Sequence, residues 1–198
     1  MKQCATDEYT KTLQIELRGE RPLLMHSSVL ADPLHPITRE LAGLTGKRDK
    51  TVADHEMIAR VEWAGGLWLD EGLPCIPSAA IEAAFVDAAK TRKRGKAAKA
   101  GFVCNGSAML EYDGPKSIDE LWAEEKFRLR ASVRVNGGSR TTRTRPRFAE
   151  WRAVFEAECV RGLIEEDEVI ELFKIAGFRI GIGDWRPKFG RFSVRRLD

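Results

Sequence analysis

The chain has 198 residues, of which 43% are hydrophobic, and its formal net charge at pH 7 is +3. This length suits one ordinary domain or one domain that carries a sizeable insertion, and this hydrophobic fraction excludes wholesale disorder. The sequence shows neither an apolar N-terminal leader nor a run of about 18 apolar residues. We therefore expect a cytoplasmic protein that does not bind membranes.

Apolar periodicity and turn residues predict an alternation of strands and helices. Period two indicates half-buried strands, and spacing of three or four indicates amphipathic helices. In chain order, the predicted elements are a strand at 12–18, a helix at 52–63, a hairpin of strands at 66–69 and 73–76, a helix at 79–90, strands at 107–112, 127–135 and 148–160, a helix at 164–176 and a strand at 192–194.

Several boundaries have their own signals. Ser78 is a predicted N-cap, and Gly177 is a predicted C-cap. Asn136 and Gly137 form a strong turn signal. The segment 25–51 is rich in proline and glycine and is predicted to be irregular. The pattern as a whole predicts an α+β domain spanning 1–198, with helices on one face of an antiparallel sheet, an insertion at about 25–72 and a basic hairpin at about 128–150.

The basic residues gather in three stretches, although the total charge is nearly balanced. Seven arginines and no acidic residue lie between residues 127 and 147. Arginine offers a planar fork for phosphate and stacks on bases, so these stretches predict a polyanion as partner. Any one of them alone would also suit a solvated surface. The predicted contacts are Arg134, Arg140, Arg143, Arg145 and Arg147 in the first stretch, Arg92, Lys93 and Arg94 in the second, and Arg186, Lys188 and Arg191 in the third.

The first stretch alternates arginine with threonine. In an extended strand, period two places Arg143, Arg145 and Arg147 on one side. Threonine hydroxyls add neutral donors for phosphate oxygens. We therefore predict that this hairpin follows a nucleic-acid backbone largely without reading its sequence.

A glycine-rich segment joins the last helix to the last strand. Gly181, Gly183 and Gly190 would let the backbone approach a bulky partner closely and point N–H groups at phosphates. Trp185 and Phe189 offer flat faces on which unpaired bases could stack. A tight crossover whose aromatic rings fill the core is the alternative. A dinucleotide-binding loop is excluded because that motif follows a strand and opens a helix.

This segment, together with residues 73–81, resembles the RAMP (repeat-associated mysterious protein) superfamily, which includes backbone subunits of CRISPR effector complexes. The stretch Leu-Pro-Cys-Ile-Pro-Ser-Ala-Ala-Ile is similar to the superfamily's entry into its first helix, although it lacks the usual glycine. The resemblance implies a ferredoxin-like, RRM-type fold of order β-α-β-β-α-β. It also implies single-stranded RNA, more than DNA, as ligand, with copies or other CRISPR-type subunits assembling along the strand. A stand-alone or phage-borne relative fits equally well.

Two other functions stay open at this stage. An endoribonuclease, metal-dependent or acid–base, could use Asp32 or His26, since an aspartate in the equivalent loop cuts RNA in some members of that superfamily. A protein-binding mimic or inhibitor of a CRISPR complex could use the acidic segment 165–171. We predict binding rather than catalysis, with no catalytic residue, no metal site and no cofactor. The cysteines (Cys4, Cys75, Cys104 and Cys159) lack metal-site spacing and are expected to be reduced thiols.

Overall fold

The computed structural model describes residues 9–134 and 138–197, which form a mixed α+β structure. The strands are β1 (Thr10–Gly19), β2 (Leu23–Leu24), β3 (Leu69–Asp70), β4 (Leu73–Ile76), β5 (Phe102–Cys104), β6 (Ala108–Glu111), β7 (Arg128–Arg134), β8 (Arg140–Phe148), β9 (Arg152–Val160) and β10 (Phe192–Arg196). The helices are α1 (Pro36–Gly46), α2 (Val52–Gly66), α3 (Ser78–Thr91), α4 (Gly95–Gly101), α5 (Ile118–Ala123) and α6 (Glu166–Ile175).

The chain divides into two compact units. Unit 1 contains the described residues up to Leu23, then 69–113, then those from Glu150 onward. Unit 2 contains 24–68 and 114–149. The predicted insertion and the predicted basic hairpin, which are separate features of the sequence, thus belong to the same unit.

Unit 1 is built on an antiparallel sheet of order β10-β1-β9-β6-β4-β3, with β5 paired to β9. The alternating residues 151, 153, 155, 157 and 159 are all buried, as their spacing predicts. Phe155 contacts Phe173 of α6, and Phe173 contacts Phe85 of α3 at a centroid distance of 5.0 Å. Burial of these large rings stabilises this core. Helices α3 and α6 are therefore held on the sheet by an aromatic cluster.

The predicted C-cap at Gly177 is wrong. Helix α6 continues into a π-helical turn, Ala176–Ile180, and Gly181 follows it with a φ of 77°. A Cβ on Gly177 would lie 1.9 Å from the backbone oxygen of Phe192. This glycine is therefore required for the close approach of two backbones, and the left-handed end of the helix is four residues later than predicted.

Unit 2 contains the sheet β2-β8-β7 and helices α1, α2 and α5. Helix α2 begins with a reciprocal capping box between Thr51 and Asp54. Its buried Trp63 donates from Nε1 to the carbonyl of Phe127 at 2.9 Å and packs on Trp122. The predicted helix at 52–63 is confirmed.

The predicted irregularity of 25–51 is wrong, because a 3-10 turn (Ser28–Ala31) and α1 lie within it. His35 caps α1 by accepting the backbone N–H of Ile37 on its Nδ1, and Pro36 occupies the first turn. Proline there favours a helix start rather than a break. The glycines Gly43 and Gly46 lie inside the helix with open space around them.

Other boundaries differ by smaller amounts. Ser78 is the first helical residue of α3, Pro77 precedes it as the cap, and no side chain caps this helix. The predicted strand 148–160 is divided between β8 and β9. The predicted hairpin is present, but its first strand is Leu69–Asp70 rather than 66–69, and its turn consists of Glu71 and Gly72, with φ of 49° and 80°. Helices α4 and α5 and strand β5 were not predicted, and the Asn136–Gly137 turn lies outside the described residues.

Candidate nucleic-acid interface

The β7–β8 hairpin of unit 2 presents arginines on one face. In the antiparallel ladder Arg134 lies directly opposite Arg140, Ser132 opposite Thr142, and Arg130 opposite Thr144. Directly opposed residues share a face of the sheet. We call the exposed members of this set, Arg130, Ser132, Arg134, Arg140 and Thr142, the hairpin face.

The arginines of the hairpin face are not engaged in ion pairs within the part of the chain that the structure describes. Over residues 9–134 and 138–197, no acidic side chain forms an ion pair with Arg130, Arg134 or Arg140. Two like charges directly opposite each other destabilise a strand pair. An anion bound between them would remove that repulsion and gain charge-assisted hydrogen bonds. The hairpin face is therefore suited to phosphate.

Arg143 and Arg145 are placed differently. Both donate to Oε1 of Glu62 on α2, at 3.1 and 3.2 Å, and the backbone N–H of Thr144 donates to Oε2 at 2.9 Å. Glu62 is only 3% exposed and Arg145 only 8%. A ligand on the surface cannot reach the guanidinium of Arg145 without displacing Glu62, whereas Arg143 keeps part of its side chain accessible.

Sequence reasoning overlooked Arg130 as a contact and Glu62 as a counter-ion. Arg130, Ser132 and Arg134 alternate along the sequence, and this spacing of two would have placed Arg130 on the same face of the strand as Arg134. Glu62 is flanked by the buried residues Val61 and Trp63, and an acid within an apolar stripe signals a buried partner. Arg147 is half-buried, and Arg128 donates to the carbonyl of Trp122 and lies over its ring.

The second basic stretch lies between α3 and α4 in unit 1. Arg94 donates to both carboxylate oxygens of Glu168 and to the carbonyl of Leu163, so its charge is paired with an acid of the same unit. This pairing lowers the pKa of Glu168. Arg92 and Lys93 are exposed, and Lys93 joins Lys96 in lining a groove of about 800 Å³.

The glycine-rich segment folds onto itself. The N–H of Gly181 donates to Ala176, and that of Gly190 donates to Pro22. A Cβ on Gly190 would lie 1.7 Å from the carbonyl oxygen of Ile182. These two glycines therefore permit a tight backbone crossing, and their N–H groups are not directed at a ligand. Gly183 also has a positive φ, of 90°.

The aromatic and basic residues of this segment are partly exposed. Trp185 and Phe189 are half-buried with ring centroids 6.0 Å apart. Lys188 lies near the ring of Phe189, and Arg191 donates to the carbonyl of Pro187. Arg186 lies 3.8 Å from Asp87. These rings retain surface on which a base could stack.

The two residues considered for catalysis lie before α1. Asp32 accepts the N–H of Leu34 at 2.9 Å in a local turn, and His26 is exposed. No cluster of three or more potential metal ligands occurs in the part of the chain that the structure describes. Burial raises the pKa of the Cys104 thiol to about 12, so it is a poor nucleophile.

The acidic segment 165–171 is paired in part within unit 1. Glu166 bridges Lys11 and Arg196, and Glu171 pairs with Lys174. Glu165 accepts the backbone N–H of Gly162. Glu165 and Asp167 are both exposed, so part of the negative charge of this segment faces solvent.

Among the described residues, no helix combines the length and the apolar character needed to span a bilayer. A scan of protein-family models found no match to this chain, and a search of curated protein sequences found none either.

Proposed function

We propose that this protein binds single-stranded nucleic acid, RNA in preference to DNA, through the hairpin face and largely without regard to sequence. The observation that carries the proposal is the direct opposition of Arg134 and Arg140, with no acidic partner among the described residues. A purely structural hairpin would gain stability from an acid at either position. Without a ligand the two guanidinium groups repel each other, and a phosphate bound between them removes this repulsion.

The chemistry of the hairpin face favours backbone contacts over base reading. Ser132 and Thr142 lie between the arginines and can donate hydroxyl protons to phosphate oxygens. Hydrogen bonds to phosphate set the position of a protein on a strand but carry no sequence information. The half-buried rings of Trp185 and Phe189 in unit 1 are candidates for base stacking, which tolerates any base.

A ferredoxin-like fold for unit 1 is part of the proposal. The strands β10-β1-β9-β6 are adjacent in that order. Helix α3 lies between β1 and β6 in the sequence, and α6 lies between β9 and β10. A β-α-β-β-α-β unit of this kind is the one that the RAMP resemblance implies, and assembly of copies along a strand follows from the same resemblance.

The test replaces Arg130, Arg134 and Arg140 together by glutamine. We expect weaker binding of a single-stranded RNA oligonucleotide and a salt dependence whose slope falls by about 2, since each lost phosphate contact removes about 0.7. Fluorescence anisotropy at several salt concentrations measures both quantities.

The matched control replaces Arg21, Arg39 and Arg161 by glutamine. These arginines are exposed and belong to none of the three basic stretches. The control removes the same net charge, and the slope of its salt dependence should equal that of the wild-type protein within experimental error. Equal slopes for both triple variants would overturn the proposal, because general charge would then explain the binding.

A further inference from the structure

A concavity of about 430 Å³ in unit 2 lies among the end of α1, the loop that follows it, α2 and the β7–β8 hairpin. Its volume falls within the range of about 300–1,000 Å³ that is usual for small-molecule pockets. We call it the hairpin pocket. The nitrogen-bearing side chains that line it are those of Lys50, His55, Arg130, Arg140 and Arg143.

The hairpin pocket contains a strong excess of positive charge. Of its lining residues only Glu62 is acidic, and it already accepts hydrogen bonds from Arg143, Arg145 and the backbone of Thr144. Arg143 is thus paired with Glu62, whereas Lys50, Arg130 and Arg140 have no acidic partner among the lining residues. Such a concave site attracts an anion of more than one charge.

We propose that the hairpin pocket binds a phosphate monoester, either the terminal phosphate of a nucleic-acid strand or that of a free mononucleotide. A monoester carries a charge of about −1.5 to −2 at pH 7, whereas each phosphodiester of a strand carries −1. The surplus of cations therefore favours the monoester. A concave pocket also admits the end of a nucleic-acid strand more readily than an internal phosphate, because the strand continues on both sides of an internal phosphate.

The strand-end form of this proposal rests on the proposed function. Arg130 and Arg140 belong both to the hairpin pocket and to the hairpin face. A strand whose end occupies the pocket can therefore continue along the hairpin face without leaving the positive surface. The pocket would place the end of the strand, and the hairpin face would hold the phosphates that follow.

Lys50 and His55 are the residues for the test because they line the hairpin pocket and lie outside the hairpin face. The ammonium of Lys50 donates to the carbonyl of Lys47 at 2.5 Å, which leaves it further protons for a ligand. His55 is exposed on α2. The variant K50Q/H55Q removes both donors, and R48Q is the control, since Arg48 lies in the same loop but not in the pocket lining.

The experiment measures binding of one RNA sequence in three forms: with a 5′-phosphate, with a 3′-phosphate and with hydroxyls at both ends. We expect the wild-type protein and R48Q to prefer one phosphorylated form by about tenfold, a factor that one charge-assisted hydrogen bond can supply. K50Q/H55Q should lose that preference and bind the hydroxyl form as the wild type does.

Calorimetry with uridine monophosphate and with uridine distinguishes the two ligand sources and the two proposals. Binding of the monophosphate but not of uridine, lost in K50Q/H55Q, supports the pocket even if no RNA binds, and the proposed function then fails alone. Equal binding of all three RNA forms, with no binding of the monophosphate, overturns the pocket and leaves the proposed function intact. If K50Q/H55Q still prefers one phosphorylated form of the RNA, the proposal for the hairpin pocket is also overturned.

Discussion

Glu62 decides which arginines of the hairpin are available. Its buried carboxylate accepts three donors from consecutive residues of β8, including the guanidinium of Arg145, which is almost as buried as Glu62 itself. A buried charge is tolerated only when it is paired. Glu62 thus pairs with Arg143 and Arg145, whereas Arg130, Arg134 and Arg140 have no acidic ion-pair partner among the described residues and remain available to external anions.

Replacing Glu62 by glutamine should lower the free energy of unfolding by about 3 kcal/mol, because the buried guanidinium of Arg145 would lose its ion pair with Glu62. The partly exposed Arg143 should contribute little to this loss, since water solvates it. Urea unfolding followed by tryptophan fluorescence measures the change. Glu56→Gln, at an exposed position of α2, is the control and should change it by less than about 0.5 kcal/mol. A similar small change for Glu62→Gln would contradict the assigned role.

At the scale of elements, two glycines have opposite roles. Gly43 lies in α1, and no heavy atom outside its own turns of the helix lies within 4 Å of the position that a methyl group would take, whereas Gly177 faces the backbone of β10. Glycine in an open helix costs stability through the entropy of the unfolded chain. At Gly177, where two backbones cross closely, glycine fits because it has no Cβ.

Gly43→Ala should therefore raise the free energy of unfolding by about 0.5–1 kcal/mol. Gly177→Ala should lower it by more than about 2 kcal/mol, since the added methyl meets backbone atoms that cannot rotate away. The midpoints of chemical unfolding of the two variants measure the difference. A stabilised Gly177→Ala would show that β10 can move away from the π-helical turn.

The elements that could be predicted from the sequence are those whose burial follows their own periodicity. β1, β9 and α3 bury one face against the large core of unit 1, so the apolar pattern and the burial agree. Helix α1 buries none of its residues, and its proline and glycines resembled a loop. The π-helical turn depends on a contact with β10, which is distant in sequence and therefore invisible to a local pattern.

The candidate site was predictable only in part. Period two correctly places Arg143 with Arg145 and indicates a charged strand. Which face of the hairpin is neutralised depends on Glu62, about 80 residues earlier in the chain. The contacts predicted from the local pattern therefore include Arg145, which is buried, and omit Arg130, which is exposed.

At the scale of the whole molecule, ion pairs connect distant segments within unit 1. Glu16, buried at 7% exposure, accepts from Arg152 and Arg195, and hydrogen bonding to Arg152 lowers its pKa below the ordinary 4.5. The pKa of Glu168 is lowered likewise by Arg94. Carboxyls of this kind stabilise the folded state when ionised, so their contribution is complete above their unfolded pKa and is lost as the pH falls through the folded pKa.

The melting temperature should therefore be nearly constant from neutral pH down to about 5 and should fall steadily below pH 4.5, the unperturbed value for glutamate. Glu168→Gln removes one of these groups and should make the decline less steep while lowering the melting temperature at pH 7. Differential scanning calorimetry across this pH range measures both effects. A variant whose curve runs parallel to the wild-type curve would show that Glu168 is not among the responsible groups.

Unit 2 is made of two stretches of chain separated by residues 69–113, and each supplies half of one ionic contact. Removing 24–68 alone would remove the Glu62 carboxylate from Arg143 and Arg145, and removing 114–149 alone would leave Glu62 without these donors. Neither stretch can be trimmed or grafted by itself. Any shortened form of this protein that keeps a stable remainder has to lose both stretches at once.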